Sequence, residues 1–250
     1  RQNMLFSATF SERVKKISDD FMEFPVFIDV VPQVKTAAKI EQFIYTVNGF
    51  QTKLNLLNFL LTDKENFNKV IVFCKSKKNA NSVAEMLLMK FEADGINVLH
   101  GDKTQQTRVN AINRFRDEQI RILIATDVAA RGIDVPGVSH VINFDVPLVY
   151  EDYIHRIGRT GRAFASGFSV TFVEPQDEWH IKKIQKLAGI SIKRLNLPDS
   201  VEQIQPGKEE TKLREMEIDR QKRKDNPEFK GAFHDRKNKS GRKGRHAGRK

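Results

Sequence analysis

The chain has 250 residues, with 43 Lys and Arg against 32 Asp and Glu, a formal net charge of +11 and one cysteine. Its length admits one well-filled core with extensions, or two small units. The lone Cys74 excludes an intrachain disulfide framework and a cysteine-based zinc site, and no apolar run approaches the roughly 18 residues of a membrane span.

In chain order, residues 1–30 hold an apolar strand end, a turn, a helix over Ser11 to Phe24 and a strand-like run, Val26 to Val31. The chain opens in mid-pattern at Arg1-Gln-Asn-Met-Leu-Phe6, without a start methionine or a signal-peptide pattern. It therefore reads as an excerpt of a longer protein, and the single cysteine suits a cytoplasmic one. The polar stretch from Pro32 to Lys39 marks a boundary, after which two periods alternate. Glu41 to Val47 alternates as a strand, and Thr52 to Leu61 has apolar residues at helical spacing. The β-rich Val70 to Cys74 precedes a helix over about Asn79 to Phe91, with Val83, Ala84, Leu87, Leu88 and Phe91 on one face. Cys74 in such a run is a packed thiol. A short strand Asn97 to Leu99 and a helix Gln105 to Phe115 follow, the helix turning Val109, Ile112 and Phe115 inward. Arg121 to Thr126 and Val138 to Phe144 are buried strands, Tyr150 to Ile157 a short helix, Phe168 to Val173 a strand and Glu178 to Leu187 a helix. Strands alternating with helices, without hairpin signals, imply an α/β fold: a parallel sheet with helices on both faces. After Pro198 the apolar periodicity stops. Lys208 to Lys224 is helix-permissive but has too few apolar residues to bury a face. From Lys230 to Lys250 nine Lys and Arg face one acid, Asp235, a disordered block suited to polyanions.

Ligands of open parallel sheets gather outside the carboxyl ends of the strands. Four polar clusters fall there: Lys75-Ser76-Lys77-Lys78, His100 to Arg108, Thr126 to Asp134, and His155-Arg-Ile-Gly-Arg-Thr-Gly-Arg162. The last sets three arginines at a spacing of three. Such dense fixed charge is a poor choice for burial and a good match to phosphate oxygens. Gly101 permits close backbone approach, Asp102 or Thr104 caps the next helix, and Arg108 lies one turn inside it. Thr126 adds a hydroxyl, Lys75 a charge and Ser76 a second hydroxyl. Spread over several loops, these groups suit a run of backbone phosphates better than one small ligand.

Ser7-Ala-Thr9, Gly101-Asp102 with Gln105-x-x-Arg108, Thr126-Asp-Val-Ala-Ala-Arg-Gly-Ile-Asp134 and His155 to Arg162 occur in the order of the DEAD-box RNA helicases. Over about residues 1–198 the chain resembles the C-terminal half of such a protein, closest in its basic tail to the bacterial RhlE-like group. The resemblance implies residues 1–32 as the end of a first RecA-like domain, 33–40 as a linker, 41–198 as the second RecA-like domain and 199–250 as a largely disordered basic tail. It implies ATP and Mg2+ as cofactors, RNA as a sequence-independent partner, and an upstream RecA-like domain as the other. Arg159 and Arg162 match the arginine fingers that reach the γ-phosphate. Gly132 and Asp134 match nucleotide-binding positions. Lys75, Ser76, Gly101, Arg108 and Thr126 match RNA-backbone positions, although Ser76 stands where many relatives carry threonine and Lys75 is variable. Ser7, Thr9, Arg131 and His155 match groups that couple the two domains.

The chain has neither Gly-x-x-x-x-Gly-Lys-[Ser/Thr] nor Asp-Glu-Ala-Asp; Asp117-Glu118 is followed by Gln119. The groups that hold triphosphate and magnesium are therefore expected upstream, and the excerpt alone is expected to be inactive. The function expected of the intact protein is ATP-dependent RNA unwinding. The alternatives are a non-catalytic RNA-binding or chaperone module and a related DNA helicase, against which Ser7-Ala-Thr9 and Arg131-Gly-Ile-Asp134 speak.

Overall fold

Residues of period two build the centre of the molecule, and the computed structural model describes residues 2–7, 12–28, 40–91, 95–161 and 166–225. The strands are β1 (Ile40–Thr46), β2 (Val70–Cys74), β3 (Ile96–Leu99), β4 (Ile122–Thr126), β5 (His140–Asn143), β6 (Gly167–Val173) and β7 (Lys193–Leu195). They form one sheet in the order β3-β4-β2-β5-β6-β1-β7, and every pairing is parallel. The helices are α1 (Glu12–Phe21), α2 (Phe50–Thr62), α3 (Lys77–Leu88), α4 (Gln105–Arg116), α5 (Asp127–Ala130), α6 (Tyr150–Ile157), α7 (Glu178–Ala188) and α8 (Lys208–Asp225).

Alternation along the central strands divides the core. Val70, Val72 and Cys74 of β2, with Ile122 and Ile124 of β4, meet Leu54, Leu57 and Leu61 of α2 and Val83 and Leu87 of α3. Ile71, Phe73, Leu123 and Ala125 point the other way and meet Ala111 and Phe115 of α4. Ile40 and Ile44 of β1, with Tyr153, Ile157, Ile181 and Ile184, form a third cluster under α6 and α7. Burial pushes the Cys74 thiol well up, which suits packing and not nucleophilic chemistry.

The structure corrects several expectations. Val26 to Ile28 are not in a strand, and 29–31 lie outside the described residues with the remainder of the connector up to 39. Val109 is 40% exposed; α4 turns Ala111 and Phe115 inward instead, with Ile112 partly buried. The three-residue edge strand β7 escaped the reading because Lys193 and Arg194 are exposed and give no apolar alternation. The stretch 199–225 is the largest difference. Thr52 Oγ1 accepts from Ile204 N–H (3.0 Å), Asn55 Nδ2 donates to the Glu202 carbonyl (3.0 Å), and Phe50 N–H donates to Glu210 Oε1 (2.9 Å). Helix α8 then returns to the domain through Arg214 on Glu174 and Gln221 on His180. Polar groups make these contacts, so apolar periodicity carries no sign of them. The basic block from Lys230 lies outside the described residues.

Candidate functional site

Parallel strands bring their carboxyl ends to one edge. Cys74 pairs with Thr126 and Leu99 with Ala125, so Lys75-Ser76, His100-Gly101 and Thr126 leave adjacent strands side by side. Ser76 caps α3, its Oγ accepting from Asn79 N–H (3.1 Å), which leaves the hydroxyl proton to donate outward. Gly101 is exposed, with no atom within 4 Å of where a Cβ would stand. Of the two proposed caps of α4, Thr104 is the one, accepting from Thr107 N–H (3.2 Å). Asp102 instead pairs with Lys77 at 2.8 Å, and the hydrogen bond from that ammonium holds its carboxyl below the usual range. Both partners are exposed, so the pair contributes little stability. The Asp102 N–H donates to His100 Nδ1 (3.3 Å), which puts the imidazole proton on Nε2, 3.0 Å from Asn81 Oδ1.

Arg108 crosses from α4 to α5, which follows β4 directly. Its Nη2 donates to the Ala129 carbonyl (3.3 Å), its Nη1 to Gln105 Oε1 (3.3 Å), and its buried Nε has no partner. Thr126 occupies the N-cap position of α5 without a side-chain capping bond. Lys75 is exposed at the head of this row. All five residues read from the sequence as phosphate contacts thus share one rim.

The arginine segment divides in two. Arg156, on the last turn of α6, is 1% exposed, contrary to the expectation that such charge avoids burial. Its Nε and Nη2 grip Asp127 at 2.6 and 2.8 Å, and Nη1 donates to Asn143 Oδ1 (3.1 Å) and to the Asp145 carbonyl (2.7 Å). The guanidinium carbon lies 5.1 Å from the Phe73 ring centre. A bidentate carboxylate and two further acceptors satisfy the charge that an unpaired guanidinium could not bury. Beyond the helix end, half-buried Arg159 donates through Nη1 to the Ile133 carbonyl. That contact sets Arg159 beside Gly132 and Asp134, the two residues expected at a nucleotide. Gly132 has φ +77° and open space where a Cβ would stand, and Asp134 is exposed. Buried Thr160 anchors the turn, Oγ1 donating to the Val138 carbonyl (2.5 Å).

Arg131 and His155 converge on one oxygen, Asp152 Oδ1, at 3.5 and 3.7 Å, and their side chains are 67% and 41% exposed. They remain reachable from outside the domain. Ser7 is exposed; Thr9 and Arg162 lie outside the described residues.

Sequence reasoning missed the groups beneath this surface. Asp127 sits inside a quoted motif, but its partner Arg156 is 29 positions on, so no local signal showed the pairing. Lys53, Asp145 and Glu174 carried none. Lys53 Nζ lies 3.1 Å from Asp145 Oδ1 and 2.6 Å from Glu174 Oε1, with all three side chains buried. Burial alone would lower the Lys53 ammonium; the carboxylates of Asp145 and Glu174 outweigh it and raise its pKa. Burial would likewise raise Asp145, and the charges of Lys53 and Lys75 hold it below the usual range.

Among the described residues, no group of three or more His, Cys, Asp or Glu is placed to hold a metal ion. Also among them, no helix is long and apolar enough to cross a membrane.

A RecA-like parallel sheet with this arginine-bearing rim defines a helicase C-terminal domain, and the family model described as "Helicase conserved C-terminal domain" matches residues 52–164. The chain is 38% identical over 199 residues to the ATP-dependent RNA helicase CshA of Listeria monocytogenes, covering 79% of this chain and 37% of that protein. To the DEAD-box ATP-dependent RNA helicase CshA of Bacillus subtilis it is 39% identical over 198 residues, covering 79% and 39%. Among solved structures, the E. coli DEAD-box protein SrmB, bound to regulator of ribonuclease activity A, shares 36% identity at a TM-score of 0.59, over 68% of this chain and 98% of that one. S. cerevisiae Dbp5 bound to RNA and ADP BeF3 shares 29% identity at a TM-score of 0.65, over 85% and 53%. The chain belongs to the DEAD-box family of RNA helicases. It spans about two fifths of the length of the curated relatives it matches, at 37% and 39%.

Proposed function

We propose that this chain is the second RecA-like half of an ATP-dependent RNA helicase, in which residues 1–32 end the first domain, 33–40 link the two and 41–198 form the second. Arg159 and Arg162 act as arginine fingers, supplying charge to a γ-phosphate held by the other domain, while Gly132 and Asp134 contact the nucleotide. The observation that carries this reading is the placement of Arg159 against the carbonyl between Gly132 and Asp134, on the rim where the RNA-facing loops open. Lys75, Ser76, Gly101, Arg108 and Thr126 hold the sugar–phosphate backbone without reading sequence. Arg131 and His155, tethered to Asp152 yet exposed, bridge to the first domain with Ser7 and Thr9. The apolar surface near the start of the chain supports this: Phe6, Phe24, Val26 and Ile28 are 86, 98, 88 and 84% exposed, as befits residues that a further domain would cover. The Dbp5 structure with RNA and ADP BeF3 supports both ligands by kinship. Magnesium is held by residues of the first RecA-like domain upstream, and the protein works in the cytoplasm. The RhlE-like subgroup rests on the basic tail alone.

The test is ATP turnover with and without single-stranded RNA. The 250-residue chain alone releases no phosphate, since it lacks both triphosphate-binding motifs, while the full-length protein shows RNA-stimulated release. Turnover by the isolated chain, or full-length turnover indifferent to RNA, would overturn the proposal.

A further inference from the structure

Asp145 lies just beyond β5, which is paired with β2, so its side chain emerges next to the loop that follows β2. It is 2% exposed and works with all of its acceptors. Oδ1 accepts from Lys53 Nζ at 3.1 Å. Oδ2 accepts from the backbone N–H of Lys75 at 3.0 Å and from Asn79 Nδ2 at 2.9 Å. The main-chain carbonyl takes Arg156 Nη1 at 2.7 Å. One residue therefore touches both the loop that presents Lys75 and Ser76 and the helix that carries the arginine segment.

The support behind Asp145 extends away from the rim. Lys53 Nζ shares its charge with Glu174 Oε1 at 2.6 Å, and Glu174 Oε2 takes Arg214 Nη2 at 3.3 Å. Cations and anions alternate along this line of contacts, and the second cation comes from α8, outside the segment matched by the helicase family model. Buried ion pairs are weak evidence for stability, because apolar residues of like volume often serve as well. This site needs something an apolar residue lacks: one oxygen for an ammonium and another for a main-chain N–H on the opposite side. A carboxylate offers both, and an amide offers only one.

We propose that Asp145 is a positioning residue for the RNA-facing loop Lys75-Ser76, held by Lys53 and, through Glu174, by Arg214 of helix α8. The proposal rests on the reading of that loop as a phosphate contact. Asp145 touches no ligand itself; it fixes the backbone of Lys75 and, through Asn79, the first turn of α3 capped by Ser76.

The experiment measures ATP turnover by the full-length protein against the concentration of an unstructured single-stranded RNA, with melting temperature alongside. In Asp145→Asn the single amide oxygen turns to the Lys53 ammonium and the NH2 group faces the Lys75 N–H. Asn79 can rotate its amide, but a backbone N–H cannot turn. Leaving that donor unmatched raises half-saturating RNA about tenfold, while turnover at saturation falls by less than about threefold. In the double variant Lys53→Met/Asp145→Asn the oxygen is free to face Lys75, and half-saturating RNA returns to within about threefold of the parent without recovery of melting temperature. If Asp145→Asn does not fold, Arg214→Met reads the same axis from outside the sheet and raises half-saturating RNA about two- to fivefold. Unchanged half-saturation in both single variants would overturn the proposal, as would RNA affinity that merely tracks melting temperature across the set. A parent protein whose turnover ignores RNA would instead sink the underlying functional reading, so the two failures are distinct.

Discussion

Replacing Arg156 with alanine separates an anchoring arginine from the proposed arginine finger three residues on. The substitution strips Asp127 of a fork at 2.6 and 2.8 Å, and removes the donor from Asn143 Oδ1 and from the Asp145 carbonyl. The Asp127 side chain is 23% exposed, so water recovers part of its charge, whereas Asn143 is 0% exposed. Breaking a buried pair from one side costs about 3–5 kcal/mol, and orphaned buried acceptors add to the penalty. For a domain of this size each kcal/mol moves the midpoint by about 2–4 °C, so Arg156→Ala lowers the melting temperature by about 6–20 °C. Arg156→Lys keeps the charge but cannot fork, and recovers less than half of the loss. The assay is urea unfolding of the 250-residue chain followed by far-ultraviolet circular dichroism, with Arg159→Ala as the control. Half-buried Arg159 donates to the Ile133 carbonyl, not to a buried carboxylate, and its removal costs about 1–2 kcal/mol. An Arg156→Ala chain within about 1 kcal/mol of its parent, or equal in loss to Arg159→Ala, would refute the assignment of Arg156 as the structural member of the segment.

In the full-length protein, Arg159→Ala cuts ATP turnover by about a thousandfold or more while melting unchanged within a few degrees, as steady-state phosphate release and a thermal scan will show. His140, stacked between Phe67 at 4.0 Å and Phe168 at 5.0 Å, is held by burial at a pKa of about 4, down from 6.5. The unfolded chain takes up its proton first, so the stability this ring contributes is complete above pH 6.5 and lost as pH falls toward 4. His140→Phe therefore flattens that acid loss by about 1–2 kcal/mol, read as the difference in urea midpoints near neutrality and near pH 5; a difference independent of pH would contradict it. Deleting the segment from Lys230 flattens the log–log salt slope of RNA affinity by several units, at about 0.7 per phosphate neutralised on single strands; an unchanged slope would mean the tail does not bind RNA.

Period-two and helical patterns in the sequence located six of the seven strands and helices α2, α3, α4, α6 and α7 to within a few residues, because each of those elements buries an apolar stripe; the four-residue α5 is too short to show a period. Where burial is done by polar groups, the pattern is silent. Helix α8 is the clearest instance: its buried residues are Asp219 and Gln221, and it is held by Glu210 on the Phe50 N–H and Arg214 on Glu174. Each of those contacts joins residues 160 or 40 positions apart, a separation no local window spans. Lys53 was hidden for the same reason, since a lysine on an apolar helix face reads as a surface residue until Asp145, 92 positions on, is folded against it.

The rim was legible because strand ends are legible, and parallel strands must deliver their following loops to one edge. The division of labour inside the arginine segment was not. Arg156, Arg159 and Arg162 are equivalent by spacing, and only the end of α6 tells them apart. The helix stops at Ile157, where Gly158 N–H closes on the Ile154 carbonyl at 2.9 Å, and Arg159 N–H then bonds the Arg156 carbonyl at 3.0 Å. Arg156 is therefore the last arginine whose direction the helix dictates, and the helix points it inward over Phe73. Arg159 follows a tightened turn that Thr160 ties to the segment leading into β5 through the Val138 carbonyl, and its guanidinium comes out at the rim. The buried arginine thus fixes the platform from which the next one reaches. A fork closed on Asp127 at the start of α5 also ties that platform to the segment Thr126 to Asp134, so one buried guanidinium joins the two halves of the rim.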